Sequence, residues 1–136
     1  MILNDLIKRV NYYSGDIFTQ ENIVDYINEG IDRFRHIPQL EKMVALKNGE
    51  DVPILLPEQY HFLLAIYSCA MCFLQDENEY GYTQHMANFS AQYEELKQGI
   101  ASGAVIIKDS SGNQIIDENA TEYVNNIYHA RYVEEG

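Results

Sequence analysis

A chain of 136 residues is long enough for one domain with a true hydrophobic core. Its formal charge is −12 and the acid excess is spread, with six basic against nine acidic side chains in residues 1–56 (−3), one against six in 57–100 (−5) and two against six in 101–136 (−4). That excludes the clustered Lys and Arg with which proteins grip nucleic acid, and it disfavours binding to an anionic lipid surface.

The chain opens on Met1-Ile2-Leu3-Asn4-Asp5, which lacks a basic stretch followed by a long apolar run, so synthesis in the cytoplasm without export is expected. Residues 2–13 read as a short amphipathic helix with Leu3, Leu6, Ile7, Val10 and Tyr13 on one side. Gly15 is the expected stop. Thr19 is an N-cap for the next helix, with Glu21 in its acid-favouring first turn. That helix places Ile23, Ile27, Ile31 and Phe34 at intervals of 4, 4 and 3, and Pro38 marks its end.

Residues 42–56 change period. Val44 and Leu46 alternate with polar or small neighbours, as do Val52, Ile54 and Leu56, and Asn48-Gly49 lies between the two runs. This predicts a β-hairpin with Asn48 and Gly49 at its tip. The Leu56–Ile100 stretch follows. Pro57 suits a first helical position, and the run from Tyr60 to Leu74 is apolar on nearly every side, which predicts a helix buried on more than one face. After a break at Asp76–Gly81, the series Met86, Phe89, Tyr93, Leu96 and Ile100 draws one stripe at intervals of 3, 4, 3 and 4. The two segments predict an antiparallel helical hairpin with more apolar area than a small monomer needs.

Beyond the break at Ala101-Ser102-Gly103, Val105-Ile106-Ile107 and Gln114-Ile115-Ile116 flank a polar turn, which predicts a second hairpin or β-arm. Residues 119–128 suit a last short helix. The expected architecture is thus mainly α: a small four-helix bundle with a long helical hairpin, an inserted β-hairpin near 42–56, and a C-terminal β-arm with a short helix. A helical core over 1–103 and an arm over 104–136 are the expected units. The eleven tyrosines, with no tryptophan, suit protein contact surfaces, since tyrosine combines contact area with a polar tip. Tyr123, Ile127, Tyr128 and Tyr132 are the candidate contact residues of the arm.

Catalytic chemistry finds little support. Cys69-Ala70-Met71-Cys72 has C-x-x-C spacing, but lies about three turns into a helix, away from the N-terminus that would lower a thiol pKa. His36, His61, His85 and His129 are scattered, with no i, i+3 or i, i+4 pair, so no metal is expected. Asp76, Glu77 and Glu79, and Glu94 with Glu95, read as solvated surface. No glycine-rich phosphate loop occurs. No nucleophile, base and orienter can be assembled, so neither an enzyme activity nor a cofactor is expected.

The order of parts resembles that of the small head–tail connector (adaptor) proteins of tailed bacteriophages. Leu3-Asn4-Asp5-Leu6-Ile7-Lys8-Arg9-Val10 looks like that family's opening helix. Thr19 through Ile31, with Tyr26-Ile27-Asn28-Glu29-Gly30-Ile31, looks like its second. Leu56-Pro57-Glu58-Gln59-Tyr60-His61 looks like the entry into its long helical hairpin, and Tyr93-Glu94-Glu95-Leu96-Lys97 like the end of it. The likeness covers about residues 1–100; residues 101–136 depart from the shortest members. The resemblance implies a structural virion protein in a ring, often of twelve copies. The ring joins the portal protein to other neck or tail proteins and continues the channel through which DNA passes without specific binding. It places the protein in the virion neck, with no membrane. The arm residues would then meet the portal or a neighbouring subunit, and Asn48 and Gly49 an adjacent copy. Two alternatives compete: another small phage assembly protein of the head-completion or tail-terminator kind, and a soluble helical regulator that binds a host protein.

Overall fold

Three helices pack around a central one, the third in chain order. The computed structural model describes residues 2–47 and 55–116, and over these the chain forms α1 (Leu3–Ser14), α2 (Gln20–Phe34), α3 (Phe62–Gln75) and α4 (Glu79–Ser102), with short 3₁₀ turns at Pro38–Leu40 and Glu58–Tyr60. The all-round apolar run is α3. Every residue from Leu63 to Ala70 is buried, because α1, α2 and α4 all pack against it. The surplus face expected to need a second copy is therefore covered within one chain.

Each outer helix contributes the stripe its spacing dictates. α1 buries Leu3, Leu6, Ile7 and Val10. α2 buries Ile23, Ile27, Gly30, Ile31 and Phe34. On α4, Phe89 and Leu96 are buried, while Met86, Tyr93 and Ile100 are partly covered. Phe34, Phe89, Tyr67 and Tyr93 form one aromatic cluster that ties α2, α3 and α4 together. Phe34 meets Phe89 edge-on at 5.9 Å and Tyr67 approaches Phe89 at 5.1 Å. Such offset and edge-on ring pairs add about 0.5–1.5 kcal/mol each beyond area burial.

The helix ends follow from local chemistry. Gly15 takes the left-handed conformation at φ 74° and donates to Asn11 O, and the Thr19 hydroxyl accepts from Asn22 N–H at 3.3 Å. At the α3–α4 turn Glu77 holds the left-handed position usually given to glycine (φ 59°), and Asn78 N–H returns to Phe73 O at 2.9 Å. Asn78 then caps α4, its side-chain oxygen accepting from Gly81 N–H at 3.0 Å. Pro57 does not start a helix directly. It precedes the 3₁₀ turn, and α3 begins only at Phe62.

The described flanks of the expected inserted hairpin form no strand. Val44 and Leu46 do not share a face: Val44 is 65% exposed, whereas Leu46 and Met43 are buried in the core. The physical reason is the Asn28 side chain, which takes both hydrogen bonds of the Leu46 peptide and leaves none for a ladder. Leu56 is buried, and His61, itself buried, donates from Nε2 to the Leu56 carbonyl at 2.7 Å.

The expected detached arm is not supported over residues 104–116. Gly103 ends α4 in the left-handed conformation, and Val105 N–H donates to Gly99 O at 2.9 Å. Ile107 then enters the core, with Val105 and Ile115 packed against it. The polar turn closes on a single antiparallel bridge, Lys108 to Gln114. Asp109 organises it by accepting from the N–H groups of Ser111 and Asn113 at 2.9 Å each.

Candidate functional site

The residues selected from the sequence as contact sites, Asn48, Gly49, Tyr123, Ile127, Tyr128 and Tyr132, lie outside the described residues. The α2 segment from Tyr26 to Ile31 is described throughout, and each of its residues has an internal task. Ile27 and Ile31 are core. Tyr26 donates its hydroxyl to Gln75 Oε1 at 3.1 Å, fastening α2 to the end of α3. Asn28 accepts from Leu46 N–H at 2.7 Å and donates to Leu46 O at 3.2 Å, mimicking one rung of a strand pair. Glu29 accepts from the Tyr67 hydroxyl at 2.7 Å. Burial and that bond hold the Tyr67 phenol well above its ordinary range. Gly30 is small because the Tyr67 ring occupies the space: a Cβ there would lie 3.1 Å from Tyr67 Cδ1. Arg33, one turn on, stands 5.8 Å over the same ring.

Burial pushes the Cys69 thiol up to about 12 and the Cys72 thiol up to about 11. Both are free and buried, so the C-x-x-C pair is packing and offers no thiolate at neutral pH. His85 stacks on Phe73 at 5.6 Å and lies 6.0 Å from the Tyr13 ring. Its partial burial lowers its pKa, which favours the neutral imidazole over the charged form. Among the described residues no group of three or more His, Cys, Asp or Glu side chains is placed to hold a metal ion. No described helix is long and apolar enough to cross a membrane.

The exposed apolar residues are not random. The Phe18–Phe73 contact (5.1 Å) brings the α1–α2 loop and the α3–α4 turn to one end of the bundle. Tyr12 (85% exposed), Ile17, Leu74 and Tyr80 (73%) stand in or beside those two connections. Leu74, expected within the buried apolar run, is 43% exposed at the end of α3; Tyr12, Ile17 and Tyr80 carry no periodic signal, and only the folded chain gathers the four. At the opposite end, Asp32, Arg35, His36, Glu41 and Lys42 line an open depression, next to the exposed Val44. Arg35 spans it, donating to Glu41 O at 3.2 Å and to Asp32 Oδ1 at 3.4 Å. The chain thus holds Tyr12, Ile17, Leu74 and Tyr80 at one end of the bundle and the depression at the other. No family model matches it, and no curated protein and no solved structure matches it.

Proposed function

We propose that this chain is a non-enzymatic structural protein of a phage virion. It forms a ring, of twelve copies on the family pattern, that joins the portal vertex of the capsid to the tail and continues the DNA channel. The observation that carries this reading is the order of parts. A short opening helix, a second helix with the Tyr26–Ile31 segment, a crossing that holds two 3₁₀ turns and is anchored at Leu46 by Asn28, and a long helical hairpin follow one another between Leu3 and Ser102. The spread acid excess supports it too: a wall of like charge keeps phosphates from sticking, where a basic wall would hold them. In this reading Asn48 and Gly49, in the crossing between α2 and α3, meet an adjacent copy. Tyr123, Ile127, Tyr128 and Tyr132 form an arm on the portal or a neighbour, and other neck or tail proteins bind the far side. The protein is made in the host cytoplasm and acts in the virion neck.

The test is to mix the purified chain with purified portal rings of the phage that encodes it, and to follow co-sedimentation and negative-stain images. The expected result is a second ring stacked coaxially on the portal. A chain that stays in the supernatant overturns the proposal and favours a helical regulator that binds a host protein.

A further inference from the structure

The turn that follows α4 sets two isoleucines side by side on its outer face. Lys108 bridges to Gln114, and Ile115 N–H donates to Ile107 O at 2.8 Å. Successive residues of such an antiparallel pair lie opposite one another and alternate between its two faces. The register therefore puts Ile107 opposite Ile115, and Ile106 opposite Ile116. Ile107 is buried and Ile115 packs against the core, so the inner face belongs to the bundle. Ile106 and Ile116 share the outer face, where they are 50% and 57% exposed. Ile116 is also the last described residue before residues 117–136, so that segment leaves from the edge of this apolar pair.

We propose that the C-terminal segment of the same chain covers this pair, with Tyr123 and Ile127 laid over Ile106 and Ile116. Size, tether and pattern select this occupant. Two half-exposed isoleucines fall far short of the roughly 1,200–2,000 Å² that a stable contact between separate proteins buries, so the face suits a tethered segment and not a free partner. The tether supplies a local concentration on the order of mM. Tyr123 lies seven residues beyond Ile116, within a reach of about 23 Å. The segment also needs a cover of its own. Ala120, Tyr123, Val124, Ile127 and Tyr128 fall on one side at helical spacing, and a helix of about ten residues is marginal until such a side is buried. The inference does not depend on the ring reading. Under that reading it adds a step: an arm that meets the portal or a neighbour must first leave its own chain, so the two contacts compete.

Hydrogen exchange of the full chain, followed by mass spectrometry, tests this. In the wild type, amides between residues 120 and 130 should exchange at least about threefold more slowly than those of an unstructured chain. The double variant Ile106→Ser, Ile116→Ser should bring them to the unstructured rate. It should leave the amides of α1–α4 unchanged, because both positions are exposed. Val44→Ser, at an exposed position in the crossing after α2, should leave the segment as in wild type. Diluting the protein about twentyfold should change nothing, since a tethered contact does not depend on concentration. Unstructured exchange in the wild type, protection that survives the double variant, or an equal loss in Val44→Ser would each overturn the proposal. Protection that falls on dilution would overturn it too, by giving the seat to a second copy. If the double variant disturbs the helices, the single change Ile116→Asp, at the more exposed of the two positions, gives the same readout. Co-sedimentation with the portal keeps this inference apart from the proposed function: a chain that shows the protection and ignores the portal retains the contact and loses the virion role.

Discussion

Asn28 carries more of the chain's path than its half-buried position suggests. The peptide it holds lies 18 residues away, at Leu46, and that peptide leads a buried leucine into the core. An amide is the side chain that suits this role, because it presents a donor and an acceptor together, as a strand would. Asn28→Ala removes both bonds and leaves a partly desolvated N–H and C=O behind. Each lost bond weakens folding by about 1 kcal/mol, and an unsatisfied group by more, so the variant should lose about 1–3 kcal/mol in urea denaturation. Tyr26→Phe, two residues away, is the control. Its hydroxyl bond to Gln75 is exposed, and its loss should remain within about 0.5 kcal/mol. If the two variants lose equally, the Asn28 bracket does not hold the crossing. The contrast also locates what was legible in this segment. The spacing of Ile23, Ile27, Ile31 and Phe34 marked the buried face of α2 directly, and all four are buried. The task of Asn28 was not legible, since its partner is remote in sequence and belongs to no repeating pattern.

At the scale of elements, helices were readable and the strands were not, for one reason. A helix is closed by its own i to i−4 bonds and by caps within a few residues, so Gly15, Thr19 and Gly103 mark their ends locally. A strand needs a second strand, and alternation in residues 42–47 does not supply one. The joint between α3 and α4 shows how tertiary contact then sets identity. Gly81 sits in the first turn of α4 with the Phe73 ring lying on it: a Cβ would stand 2.8 Å from Phe73 Cγ. That ring in turn meets Phe18 edge-on and stacks on His85. Gly81→Ala therefore sets two effects against each other. Helix propensity favours alanine by up to about 1 kcal/mol. Displacing a ring held on both sides disfavours it by about 1–3 kcal/mol. The clash is at the root of the ring rather than at a flexible tip, so the second effect should win, with a net loss of about 1–2 kcal/mol in thermal or urea unfolding. A stabilised Gly81→Ala would show that Phe73 swings aside freely, and that this end of the bundle is looser than its ring contacts indicate.

For the whole molecule, the question is where the folded unit stops. Composition suggested a boundary at residue 103, because the helical pattern ends there and patches of apolar residues joined by turn residues begin. Packing carries the unit further. The chain reverses at Gly103, crosses Gly99 closely enough that a Cβ there would lie 2.7 Å from Val105 Cγ2, and delivers Ile107 into the same core that α3 centres. Its neighbour Ile106 points the other way: Ile107 is 2% exposed and Ile106 is 50% exposed. Two adjacent isoleucines thus report on one junction with opposite burial. If residues 104–116 belong to the bundle, Ile107→Ala loses the transfer energy of a buried side chain and leaves a cavity, about 2–4 kcal/mol. Ile106→Ala should then shift unfolding by less than about 1 kcal/mol, and both should unfold in a single transition with the unchanged slope against urea that one cooperative unit requires. Equal small losses would mean that the helices fold without this segment. The same measurement bears on assembly. With α3 and Ile107 hidden within one chain, the urea midpoint should not depend on protein concentration, whereas a bundle completed by a neighbour would gain stability as the concentration rises.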